Sequence, residues 1–191
     1  MSDAVTGGSA IINGDYRYFL ARWWDGGMDA SSVVTFVMLN PSTADAAKDD
    51  ATIRRCIGFA KREGYKRLEV VNLFAYRTHS PKKLAAAPDP LGPMNDIHVN
   101  VAVRGAALVI CAWGASKHAN SGSMGALFST GRPLYCLGHT ANGSPRHPLY
   151  LPANAALEPW DGDTANECTD PSCLYHPIPF TTASEHRESG T

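Results

Sequence analysis

The run Val33-Val34-Thr35-Phe36-Val37-Met38-Leu39 is apolar throughout except for one threonine. A strand with one wet face alternates apolar and polar residues. A short continuous apolar run instead fits a strand covered on both faces, as in a sheet sandwiched between helices. It ends abruptly at Asn40-Pro41-Ser42, a turn sequence. Leu68–Phe74 and Leu108–Trp113 are runs of the same kind, and Leu134–Leu137 is a shorter one. Between the first two, Ile53, Cys56, Ile57 and Ala60 recur at helical spacing. Asp49 or Asp50 is placed to cap that helix, and Gly64 stands where a C-terminal glycine belongs. A second helix is expected over Met94–Gly105, with Pro93 at its start, and a short one around Gly122–Phe128. Tyr16–Trp24 reads as an earlier strand, closed by an Asp25-Gly26-Gly27 turn. Thr78–Pro93 reads as a long loop with one short turn. Strand and helix in alternation predict the α/β class: a three-layer α/β/α domain with a central, mostly parallel sheet of about four strands.

The chain has 191 residues, 44 % of them hydrophobic, enough for one domain with a sizeable core. Residues 1–15 are expected to be a flexible N-terminus, 16–151 the single domain and 152–191 an acidic, poorly structured tail. Residues 152–191 hold seven of the 18 acids and one of the 17 Lys/Arg, so the body before them is basic and the tail acidic. A basic body is compatible with DNA or a nucleotide as partner. No apolar run approaches the roughly 18 residues of a membrane span, and the start of the chain lacks a secretory pattern. The expectation is therefore a cytoplasmic monomer with no membrane partner. Cys56, Cys111 and Cys136 sit in apolar strings and read as small core residues rather than a disulfide framework.

In parallel α/β sheets, ligands bind beyond the carboxyl ends of the strands. Four polar segments leave those ends: Asn40-Pro41-Ser42, Asn72 to Arg77, Trp113-Gly114-Ala115, and Gly138 to Tyr150. Asn72 stands out because an amide inside an apolar run must find partners. No phosphate-binding Gly-x4-Gly-Lys-Ser/Thr string and no Gly-x-Gly-x-x-Gly dinucleotide fingerprint occurs.

Four strings together resemble a bacterial and phage family catalogued as domain of unknown function sixteen-forty-three. They are Met38-Leu39-Asn40-Pro41-Ser42-Thr43-Ala44, Asp50-Ala51-Thr52-Ile53-Arg54-Arg55-Cys56, Val70-Val71-Asn72-Leu73-Phe74-Ala75, and Gly143-Ser144-Pro145-Arg146-His147-Pro148-Leu149-Tyr150. The resemblance spans roughly Tyr16–Leu151. More distantly, the chain resembles the uracil-DNA glycosylase superfamily, whose four-stranded parallel sheet lies between helices. One branch there has an Asn-Pro loop after its first core strand, whose Asn holds the attacking water, and Asn40 matches that residue. Asn72 matches an Asn that reads the base edge, and Trp113-Gly114 a recurring strand end. A His-Pro follows the fourth strand in that superfamily. Here His139 has the position and His147-Pro148 has the dipeptide, so both stay open.

That resemblance implies a hydrolase that cleaves the N-glycosidic bond of a modified or damaged nucleobase. Such chemistry needs an oriented water, donors for the negative charge growing on the base, and a pocket that holds the base out of its stack. The residues assigned are Asn40, His147, His139 and Asp50 for catalysis, and Pro41, Ser42, Asn72, Phe74, Trp113 and Gly114 around the base. Arg54, Arg55 and Arg146 are assigned to phosphate. No cofactor is expected. Two other readings use the same pocket: a binding module that holds a nucleotide or nucleic acid uncleaved, and a hydrolase or transferase acting on a free nucleoside. Zinc ligand types also occur at Cys168, Cys173 and His176, but their spacing is irregular, and no metal is assigned.

Overall fold

In the computed structural model, residues 4–162 are described, except 28 and 120–122. The elements in chain order are β1 (Gly7–Asn13), β2 (Tyr16–Trp23), β3 (Val33–Met38), α1 (Ala51–Arg62), β4 (Arg67–Asn72), α2 (Pro81–Ala86), α3 (Asn95–Gly105), β5 (Leu108–Cys111), α4 (Ser123–Phe128), β6 (Tyr135–Cys136) and β7 (Glu158–Pro159). They build one sheet in the order β1-β2-β4-β3-β5-β6-β7.

The four apolar runs form the parallel centre, β4-β3-β5-β6. All six residues of β3 and all four of β5 are buried, which is why neither run alternates. Val34, Phe36 and Met38 face a core shared with Ile53, Cys56, Ile57, Phe59 and Ala60 of α1. Val37 faces the opposite core, with Val99, Ala102 and Val103 of α3 and Leu127 of α4. Helices therefore cover both faces. Burying each large side chain such as Phe36 or Phe59 contributes about 1.5–3 kcal/mol.

The sheet is wider than the four strands the sequence predicts. Three antiparallel strands extend its edges: β1 and β2 beside β4, and β7 beside β6. Gly7–Asn13, inside the segment expected to be flexible, is thus a strand. Its hairpin closes through the two-residue Gly14-Asp15 loop, with Gly14 at φ 54°, a left-handed conformation that glycine takes without a side-chain clash. Residues 152–162, expected to belong to the poorly structured tail, carry β7 and the buried Trp160. Cys168, Cys173 and His176 lie outside the described residues. Among the described residues no helix is long and apolar enough to cross a membrane.

Local chemistry sets the helix ends. Asp50, in extended backbone, accepts from the Ile53 N–H at 2.9 Å and starts α1. Gly64, at φ 82°, turns the chain out of it. Ser80 and Pro81 start α2 inside the segment expected as a loop.

Candidate functional site

The connections out of β3 and β5 leave toward opposite faces, because α1 packs on one side of the sheet and α4 on the other. A crevice opens where neighbouring strands diverge in this way. It lies at the carboxyl ends of β3 and β5 and has two lobes that share Leu39, Asn40, His79, Trp113 and His147. The outer lobe, of about 670 Å³, adds Lys117, His118, Arg146 and Tyr150 among others. The inner lobe, of about 210 Å³, adds Arg17, Ser42, Asp50, Thr52, Asn72 and Thr78.

Register brings the two asparagines together. Met38 pairs with Asn72 across β3 and β4. The ladder continues past the strands through Leu73 N–H to Met38 O (2.8 Å), Phe74 N–H to Leu39 O (2.9 Å) and Thr78 N–H to Pro41 O (2.9 Å). Asn40 and Asn72 therefore line the same inner lobe. The Asn40 amide nitrogen donates to the carbonyls of Thr78 (2.6 Å), Pro41 (3.1 Å) and Tyr76 (3.5 Å). This fixes the flip of the amide and leaves Oδ1 as its acceptor. Asn72 is different. Its residue is only 1 % exposed, and its Nδ2 has no partner among the protein groups. Its backbone carbonyl accepts from Nδ2 of the buried Asn95, which also donates to Leu73 O, so α3 pins the end of β4.

The 40–50 loop is held by two buried arginines from β2. Arg22 donates to Asp49 Oδ1 (2.8 Å), Asp45 O (2.6 Å) and Lys48 O (3.3 Å). Arg17 donates to Ala44 O at 2.9 Å, while its Nε has no partner among the protein groups. Burial pushes the Arg17 pKa down to about 10, opposed by Asp50 and assisted by Arg77 and Arg22. It therefore stays charged at neutral pH, and it lines the inner lobe. Asp50 caps α1 and also lines that lobe, so capping and facing the cleft are compatible. Asp45 and Asp49 are engaged elsewhere, by the 47–48 backbone and by Arg22.

Of the two candidate histidines, His147 lines both lobes and His139 lines neither. His147 is placed by Gly114 N–H to Pro145 O (2.8 Å) and Arg146 N–H to Gly138 O (2.9 Å). Gly114, at φ 78°, takes the left-handed conformation that favours glycine, beside His147. The His147 Nδ1 accepts from the Leu149 N–H at 3.3 Å, which assigns the ring proton to Nε2. Burial lowers its pKa, against the pull of Asp50, and favours the neutral ring.

Other residues singled out from the sequence fall differently. Ser42, Trp113, Gly114 and Arg146 line the cleft. Pro41 does not, but its carbonyl accepts from Asn40 and Thr78. Phe74 is buried in the core under α3 and lines neither lobe, so the aromatic faces of the cleft are Trp113 and Tyr150. Arg54 and Arg55 also lie outside it. Arg54 donates to Asp49 O, and Arg55 bonds Leu151 O and stacks on Phe59. On α1 they serve the packing of neighbouring segments. Arg17, His79, His118 and Lys117 also line the cleft, although no motif in the sequence singles them out. Arg17 carries one signal: with Arg22 it is one of two charged residues inside a strand that is otherwise aromatic and apolar.

No curated protein and no solved structure matches the chain. Residues 17–149, well over half of it, match the family described as Protein of unknown function (DUF1643). That span runs from the arginine in the inner lobe to the turn that carries His147, and the chain belongs to this family.

Proposed function

We propose that the protein is an N-glycosylase-like hydrolase that cleaves a modified or damaged nucleobase from DNA, on a layered α/β scaffold like that of uracil-DNA glycosylases. The observation that carries the reading is Asn72, a buried residue that lines a lobe the size of one heterocycle and whose amide nitrogen has no partner among the protein groups. Leaving such a donor unpaired costs about 1–3 kcal/mol, which a base edge accepting from it would recover. Trp113 supplies an apolar face. Lys117 and Arg146 in the outer lobe suit the sugar-phosphate side.

In this reading a water held by Asn40 Oδ1 attacks the anomeric carbon. The carbon–nitrogen bond breaks and its electron pair leaves with the base. Asp50 takes the proton of the attacking water. Neutral His147 donates from Nε2 to the anionic base, as preorganised donors do in an oxyanion hole. The base is then protonated from solvent.

The test is a panel of oligonucleotides carrying uracil and deaminated, alkylated or hypermodified bases, scored for abasic sites. Cleavage of at least one base by the parent and not by Asn72→Ala is expected. No abasic site with any member would sink the proposal. The unpartnered Nε of buried Arg17 favours a second reading, a nucleotide held uncleaved through an anionic group. Saturable binding of a nucleotide that weakens in Arg17→Met, without cleavage of the panel, would select it.

A further inference from the structure

We propose a metal site, suited to zinc, formed by Cys136, His139 and Glu158 and separate from the cleft. Among the described residues these three form the one group of His, Cys, Asp or Glu whose donor atoms could share an ion, all within 4.8 Å of one another. The Cys136 Sγ lies 4.0 Å from Nδ1 of His139 and 3.5 Å from its Nε2. The Glu158 Oε2 lies 3.2 Å from Nδ1. A tetrahedral zinc with bonds of about 2.3 Å to sulfur and 2.0–2.1 Å to nitrogen or oxygen sets donors roughly 3.3–3.6 Å apart. Nδ1 and Oε2 are already close to that spacing, and Sγ comes within it if the His139 ring turns to aim Nδ1, in place of Nε2, toward the sulfur. Thiolate, imidazole and carboxylate together select zinc over magnesium or calcium.

The backbone creates the cluster. Cys136 and Glu158 are direct partners across the antiparallel β6–β7 pair. Gly138, at φ 101°, turns the chain so that His139 comes back onto that pair, and His139 bridges to Pro145. A nucleophilic cysteine relay is the other chemistry such a trio offers. It does not fit, because Cys136 is wholly buried and lines neither lobe. A bound ion instead joins three pieces of chain: the end of β6, the turn that leads to His147, and the strand that brings in Trp160. Cys136 binds as thiolate, its proton passing to solvent, and one coordination position remains for water.

The test uses the full chain, stripped with a chelator and titrated with zinc and with cobalt(II). One tight equivalent is expected. The cobalt form should show tetrahedral visible bands and a thiolate charge-transfer band that Cys136→Ser removes. Zinc should raise the melting temperature of the parent. His139 and Glu158 are exposed, so His139→Ala and Glu158→Gln should fold; each should weaken zinc at least about tenfold and abolish the thermal shift. The triple variant Cys168→Ser/Cys173→Ser/His176→Ala should keep the tight site. Zinc affinity unchanged in His139→Ala, or lost only in the triple variant, would overturn the assignment. So would the lack of any zinc-dependent thermal shift in the parent.

Discussion

Asn40 and Asn72 are the same residue type at the ends of two paired strands, yet they are held in opposite ways. The amide nitrogen of Asn40 is spent on three backbone carbonyls. Asn40→Ala should therefore cost about 1–2 kcal/mol in denaturant titrations, from the lost donors, and slow any cleavage on the order of a hundredfold. Asn72→Ala removes an unpartnered donor and should change stability by less than about 1 kcal/mol, because the lost packing offsets the relieved desolvation. It should nevertheless abolish cleavage. An Asn72→Ala melt far below the parent, with cleavage unaffected, would mark Asn72 as structural.

His147 makes a prediction in pH. Burial holds its folded pKa below the ordinary 6.5, so the unfolded chain takes up a proton that the folded chain resists. The stability this represents is present above about pH 6.5 and lost as the pH falls below it. His98 is lowered by burial as well. In a denaturant series from pH 7 to pH 5, His147→Gln should decline less steeply than the parent. A parallel decline in both would contradict the buried, neutral ring.

At the scale of elements, β2 does two jobs. It pairs with β4 and β1, and it supplies the two arginines that tie down the loop bearing Asn40. Arg22 is almost fully buried and reaches three groups of that loop. Arg22→Ala leaves those carbonyls and Asp49 without their cation and should destabilise by about 3 kcal/mol, as loss of one partner of a buried pair does. Hydrogen exchange in 43–49 should rise well before exchange in β3. Equal protection of that loop in variant and parent would show that Arg22 is not its anchor. The sequence marks β2 as a strand, but its arginines find their purpose only in contact with a loop more than twenty residues away.

At the scale of the molecule, residues 152–162 complete the domain. Trp160 is buried, meets Trp113 edge-on at 4.8 Å and Phe128 at 5.9 Å, and its backbone N–H donates to Leu134 O at 2.8 Å. Trp160→Ala should cost about 3–5 kcal/mol and, because Trp113 lines the cleft, should also disturb the site. A melting temperature equal to the parent's would return 152–162 to the tail.

Four parallel strands, their helices, the Asp50 cap and the Gly64 stop were legible in the chain, because apolar runs, helical spacing and capping residues act over a few neighbours. The end of the sheet that carries the polar loops was legible for the same reason. The edge strands were harder. The Gly14-Asp15 hairpin is a local signal, whereas β7 is two residues long and exists only because β6 offers it an edge. Which histidine meets the cleft, which arginines are buried, and why Phe74 is core while Trp113 is wall all depend on register and crossover. Those are set by long-range packing of whole faces, which a local pattern of residues does not encode.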